Sequence, residues 1–186
     1  MTITPLAQAA RPTSRSIRWS PLVGVAAVLV IVLLVARTAQ RPSDVVMAIA
    51  AAALASVVVA SLHDPATDLL APVPVSVMQR RLLRLALVLV PALLVWVALV
   101  VVAPPSLEAT SPGPLLAMTA VGVAAGVWSP ARRAVLVGAS VPVLWFALDM
   151  TVPSDVLLGD AAGWWRTDPW PVAAVALGAL VAGRRR

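Results

Sequence analysis

Six apolar runs dominate the pattern of hydrophobic and polar positions, and short polar or proline-rich stretches separate them. The runs occupy residues 22–36, 45–62, 77–103, 115–128, 131–149 and 170–183. Several of these runs approach or exceed the roughly 18 apolar residues that mark a membrane-spanning helix, and the fourth and sixth are short. Continuous apolar runs also favour helices over the short alternating segments of a membrane β-barrel. The pattern therefore predicts an all-α polytopic membrane protein with six transmembrane helices.

The composition strengthens this prediction and excludes an ordinary soluble domain. Of the 186 residues, 61% are hydrophobic and only 12% are charged, whereas globular proteins are about half apolar and a quarter charged. The net charge of +6 comes from arginine, since all fourteen basic residues are arginines. On a soluble protein this excess would indicate nucleic acid. Here the arginines flank apolar runs, so membrane topology explains them and no nucleic-acid partner is expected.

The arginines also predict an orientation. Cytoplasmic loops of membrane proteins carry an excess of arginine and lysine, and a cytoplasmic N-terminus gives eleven arginines inside and three outside. The three outside are Arg37, Arg41 and Arg166. We expect a basic cytoplasmic segment at 1–20, one six-helix transmembrane domain at 21–183, and a basic cytoplasmic tail at 184–186.

Local signals refine the predicted helices. Asp44 is a good start for the second helix, Pro91 predicts a kink in the third, and Ser129 with Pro130 is expected to cap the fifth. In the fourth run, Gly122 and Gly126 have the spacing that allows two helix backbones to approach closely in lipid.

Two loops contain further helical patterns. Between the second and third runs, Asp64 and Pro65 form a start signal for a short helix. Leu69 and Leu70 share one face of it, and prolines follow. A two-turn helix is marginal alone in water, so it needs a surface, either the membrane interface or another protein. Between the fifth and sixth runs, 153–165 predicts a short extracellular amphipathic helix. Its apolar face is expected to include Val156, Leu157, Ala161, Trp164 and Trp165, with the tryptophans anchored at the interface.

Most catalytic chemistry lacks its residues in this sequence. There is one histidine, His63, and no cysteine, which excludes thiolate and multi-histidine metal sites. Asp64 and Asp68 have the spacing of a cation site, but Asp64 before Pro65 favours a helix cap. No phosphate-binding loop of the Walker type is present. The charged residues of the apolar runs lie near their ends and almost none lies in their interior, which disfavours a proton-coupled transporter, and the lack of a polar stripe along any helix disfavours a channel. We expect neither enzymatic activity nor a metal or cofactor in this chain.

With these features the chain resembles the permease subunits of ABC-2-type ABC transporters, particularly the small actinobacterial kind. The residues that carry the resemblance are 64–76 followed by Arg80 and Arg81, similar to the family's cytoplasmic coupling segment, and the loop 153–165, similar to its extracellular element. The resemblance implies a permease in the cell membrane. This subunit would not itself bind or hydrolyse a nucleotide. ATP and Mg²⁺ are then expected on a separate ABC ATPase subunit, and a second permease subunit, identical or a sister, completes the transporter. The implied cargo is an apolar or amphipathic substrate that is exported.

The resemblance also assigns roles to particular residues. Contacts with the ATPase would involve Asp64, Pro65, Asp68, Leu69, Leu70, Arg80, Arg81 and Arg84. The extracellular gate or interface would involve Leu157, Trp164 and Trp165. Two other classes remain open from the residues alone. One is a non-transporting membrane scaffold or accessory subunit, and the other is a membrane enzyme that acts on lipid, for which no buried polar cluster is evident.

Overall fold

Seven helices make up the described part of the protein. The computed structural model describes residues 17, 19–39, 44–62, 77–103, 111–130 and 132–183. The helices are α1 (Ser20–Thr38), α2 (Asp44–Ala60), α3 (Val77–Val102), α4 (Gly113–Trp128), α5 (Ala134–Thr151), α6 (Leu157–Thr167) and α7 (Pro169–Gly183). Within these ranges there is no strand, so the prediction of an all-α chain is confirmed there.

Three helical segments are long and apolar enough to cross a membrane. They are Ser20–Thr38, Leu82–Val102 and Ala134–Thr151. The apolar helices α2, α4 and α7 have 17, 16 and 15 residues. At 1.5 Å per residue they are roughly 22 to 26 Å long, against about 30 Å of bilayer hydrocarbon. The described chain therefore has the character of a helical membrane protein, and the count of six spans stays a prediction.

The helices α2, α4, α5 and α7 form the most closely packed part of the bundle. Helix α4 contacts α2, α5, α6 and α7, and its most extensive contacts are with α5 and α7. Small side chains permit this close packing, because α2 buries mostly alanines and valines and α4 buries two glycines. The three longest apolar segments are mostly exposed at their sides: 22% of the most apolar 18 residues are buried in each of α1 and α3, and 11% in α5. Helix α5 therefore packs against α2 and α4 through one narrow face. The outward apolar faces of α1, α3 and α5 suit contact with lipid.

Contacts at the helix ends define the relative directions of the helices. Gly113 and Pro169, at the starts of α4 and α7, lie against each other. At the opposite ends, the Trp128 indole N–H donates to the Ala179 carbonyl at 2.9 Å, so α4 and α7 run in the same direction. Arg37 at the end of α1 donates to the carbonyl of Val102 at the end of α3 at 3.1 Å, so the C-terminal ends of these two helices lie side by side.

The connection between α4 and α5 differs from the prediction. The Ser129 hydroxyl donates to the Ala125 carbonyl at 2.7 Å, four residues back in α4. Helix α5 begins only at Ala134, and Arg133 before it makes no side-chain cap. The prediction that Ser129 and Pro130 cap the fifth helix is therefore wrong. A serine hydroxyl bonds readily to the carbonyl four residues earlier, so Ser129 ends the preceding helix. Helix α3 includes Pro91, and the kink expected there stays a prediction.

Candidate functional site

The segment expected to contact an ATPase lies largely outside the described residues. Asp64, Pro65, Asp68, Leu69 and Leu70 all fall in the undescribed range 63–76. The predicted contact residues that follow belong to the first two turns of α3, namely Arg80, Arg81 and Arg84. Arg84 is only 4% exposed, so its side chain is packed within the bundle. These residues therefore divide into an undescribed segment, a helix start, and one buried arginine.

The loop between α5 and α7 forms a well-defined site around α6. Before α6, the backbone folds into a tight turn, because the Val156 N–H donates to the Pro153 carbonyl at 3.4 Å and the Gly159 N–H to the Val156 carbonyl at 2.8 Å. Gly159 is required there, since an added Cβ would collide with the Pro153 carbonyl oxygen. At the other end, the Asp168 N–H donates to the Trp164 carbonyl at 2.8 Å, and α7 starts at the next residue.

Helix α6 has a buried side and an exposed side, as an amphipathic helix should. Trp165 is fully buried and Ala162 is 2% exposed, whereas Leu157 is 89% and Trp164 50% exposed. The three residues predicted as a gate therefore do not share one face. Successive helical residues are about 100° apart, so Trp164 and Trp165 point to different sides. Trp165 packs into the bundle, and Leu157 and Trp164 form an outward apolar edge.

Two polar contacts join α6 to the last turns of α5. The Trp145 indole N–H donates to the Ala162 carbonyl at 2.8 Å. Arg166 donates through Nη2 to Oδ1 of Asp149 at 2.8 Å. Its Nε also lies 2.7 Å from Oδ2 of Asp149. This second contact is an ion-pair contact only, and Oδ2 accepts no hydrogen bond from the described residues.

The two partners of this ion pair have very different environments. The Asp149 side chain is 4% exposed and the Arg166 side chain 45% exposed. The guanidinium carbon also lies 5.7 Å from the centroid of the Trp165 ring, within the range of a cation–π interaction. Sequence reasoning missed this pair. The available signal was a lone acid at the end of an apolar run, but nothing in the sequence connects it to an arginine seventeen residues later.

The Gly122 and Gly126 pair lies where α4 contacts α5. A Cβ on Gly122 would lie 2.8 Å from the Gly138 carbonyl oxygen, and a Cβ on Gly126 would lie 3.1 Å from the Ala134 carbonyl oxygen. The opposing residues Ala134 and Gly138 repeat the same four-residue spacing of small residues on α5. Val59 of α2 fits against both Gly122 and Gly138. This crossing is the closest backbone approach between helices that the glycine geometry identifies.

No protein-family model, curated protein or solved structure matches the chain. The described residues also contain no group of three or more His, Cys, Asp or Glu side chains that are placed to hold a metal ion. The chemistry available at the α5–α6 site is therefore that of an ion pair between a buried carboxylate and a half-exposed guanidinium, a cation–π contact and an apolar edge that carries a tryptophan.

Proposed function

We propose that the chain is the membrane-spanning permease subunit of an ABC-2-type transporter that exports an apolar or amphipathic substrate. Six helices, α1 to α5 and α7, would cross the cell membrane with both chain ends in the cytoplasm. ATP would be hydrolysed by a separate ATPase subunit, which would bind the segment 63–84. A second permease subunit, identical or a sister, would complete the transport path.

The observation that carries this proposal is the short amphipathic helix α6 between the last two apolar helices. It lies at the end of α5, buries Trp165 and keeps Leu157 and Trp164 on its outer edge. This arrangement is similar to the extracellular element that the family resemblance implies between its fifth and sixth spans. Tryptophans at the boundary between apolar helices and polar loops are typical of a membrane interface.

Two further features support the proposal. Helices α4 and α7 run in the same direction, and the C-terminal ends of α1 and α3 are adjacent, as expected for every second span of a chain that crosses the membrane repeatedly. Helix α3 has 26 residues, of which Leu82–Val102 form the apolar part. Its first residues, including Arg80 and Arg81, would therefore extend roughly 7 Å beyond that part, on the side where the coupling segment is expected.

Purification of the tagged chain from its native membrane tests the proposal. We expect an ATPase subunit to co-purify with the unaltered chain and to be lost when Leu69 and Leu70 are both changed to aspartate. The matched control changes Leu157 and Leu158 to aspartate, since these are also adjacent leucines, 89% and 59% exposed. It should retain the ATPase, because the proposal puts α6 on the opposite side of the membrane. If both variants retained the ATPase, the proposed coupling role of Leu69 and Leu70 would be contradicted.

The proposed orientation is tested by thiol labelling, because the chain has no cysteine of its own. In intact cells, a membrane-impermeant maleimide should label Leu157→Cys and leave Ala66→Cys unlabelled until the membrane is opened. The reverse pattern would refute the orientation. A stable purified complex that contains no ATPase would instead favour the non-transporting scaffold.

A further inference from the structure

The ion pair between Asp149 and Arg166 is one of several contacts that hold α6 against the helix bundle, beside the Trp145 hydrogen bond to the Ala162 carbonyl and the fully buried Trp165. Helix α6 buries only Gly159, Ala162 and Trp165. Elements with few buried apolar contacts are the ones that open locally while the rest of a fold stays intact. Trp165 is the one large side chain among these three buried residues, so the rest of the attachment of α6 comes from small residues and from its polar contacts with α5.

The two side chains of the pair depend on each other to different degrees, because one is buried and the other is half-exposed. If α6 moved away, Arg166 would gain access to solvent or headgroups at little cost, because it is already 45% exposed. Asp149 is 4% exposed, so in the closed position its carboxylate depends on Arg166 for compensation. Removing Arg166 would leave the buried Asp149 carboxylate without its compensating charge, which is destabilising, although by less than in a fully buried pair because the guanidinium is half-exposed.

The closed position also contains a feature that opposes it. The indole N–H of Trp165 is buried and has no hydrogen-bond partner among the described residues. A buried donor without a partner carries a desolvation cost, which outward movement of α6 would relieve. The ion pair, the Trp145 hydrogen bond and the buried Trp165 ring therefore favour closure, and the unpaired indole N–H opposes it.

We propose that Asp149 and Arg166 form a latch that holds α6 closed over the end of the helix bundle, and that α6 swings out when this pair is broken. Opening uncovers the inner side of α6, which carries Ala162 and Trp165. The latch is a property of the folded chain, so it goes beyond the proposed transport function and does not depend on it.

Thiol reactivity of the purified full-length chain in detergent micelles tests the latch. Ala162→Cys, at a site that is 2% exposed, reports opening of α6. Leu157→Cys is the control for a site that is always exposed. Ala117→Cys, at a fully buried site in α4, reports opening of the bundle. With the latch intact, only the cysteine at 157 should react quickly.

Breaking the latch should change one reporter and not the other. Arg166→Met keeps the apolar stem of the side chain but leaves the Asp149 carboxylate unpaired. We expect it to raise the labelling rate at 162 at least about tenfold and to leave the rate at 117 unchanged. Adding Asp149→Asn to this variant removes the uncompensated charge but does not restore the ion pair, so the labelling rate at 162 should fall below that of Arg166→Met and stay above that of the unaltered chain.

Three results would overturn the proposal. The first is an unchanged rate at 162 in Arg166→Met. The second is equal acceleration at 162 and 117, which would mean that the pair stabilises the whole bundle and not a separate lid. The third is a double variant that labels at 162 as fast as Arg166→Met, since two merely structural defects would not compensate each other.

Discussion

Replacing Gly122 by alanine tests the close crossing of α4 with α5 and α2. The added Cβ would lie 2.8 Å from the Gly138 carbonyl oxygen and 2.9 Å from Cγ2 of Val59, where ordinary contacts are 3.4 to 4 Å. Both neighbours would therefore have to move by roughly half an ångström. Because one of them is backbone, the two helices must separate. Overpacking of this kind typically costs about 1 to 3 kcal/mol.

The intrinsic preference of alanine for helices partly hides this cost, and a matched control removes it. Alanine is better than glycine inside a helix by about 1 kcal/mol. Gly178 in α7 has no atom within 4 Å of an added Cβ, so Gly178→Ala receives the propensity gain without the clash. The difference in unfolding free energy between the two variants should therefore equal the overpacking term, about 1 to 3 kcal/mol in favour of Gly178→Ala.

The assay is reversible unfolding of the purified chain in mixed micelles with increasing dodecyl sulfate, followed by circular dichroism. Adding Val59→Ala to Gly122→Ala removes one of the two clashes, so the two substitutions should couple favourably in a double-mutant cycle. If Gly122→Ala proves as stable as Gly178→Ala, the glycine crossing does not limit helix packing. The reasoning from the added Cβ would then fail.

Two further substitutions examine the attachment of α6. Trp145→Phe removes the indole N–H that donates to the Ala162 carbonyl, so hydrogen exchange in α6 should accelerate as expected for a loss of about 0.5 to 1.5 kcal/mol; unchanged exchange would show that this bond contributes nothing. Gly159→Ala places a Cβ against the Pro153 carbonyl, so it should make the turn before α6 sensitive to protease. The control is Gly163→Ala, which should not do so because its Cβ meets its nearest neighbour at 3.6 Å. Equal protease sensitivity of the two variants would argue against the tight turn.

The positions of the helices follow closely from the apolar runs. The run 45–62 corresponds to α2, Asp44–Ala60, and the run 170–183 to α7, Pro169–Gly183. In an apolar environment, backbone N–H and carbonyl groups have to be satisfied within the segment itself. A long apolar run therefore has little alternative to a helix, and its ends are displaced only by local hydrogen bonds such as that of Ser129.

The side-chain arrangement of the α5–α6 site does not follow from the apolar runs in this way. The amphipathic helix was expected from its pattern, but the expected face grouped Trp165 with Leu157 and Trp164, and the structure separates them. In the sequence, Asp149 ends an apolar run and Arg166 lies in the loop that follows it. Their pairing depends on how α6 folds back onto α5, which no local pattern specifies.

The amino-acid sequence by itself determined the class of protein, the helices and the glycines suited to close packing, because hydropathy, helix termini and side-chain size act over a few neighbouring residues. Only the tertiary structure decided which helices meet at Gly122, which side of α6 is buried, and that one aspartate and one arginine form an ion pair. These outcomes depend on contacts between residues distant in the chain, where many arrangements satisfy the same local preferences and packing selects one.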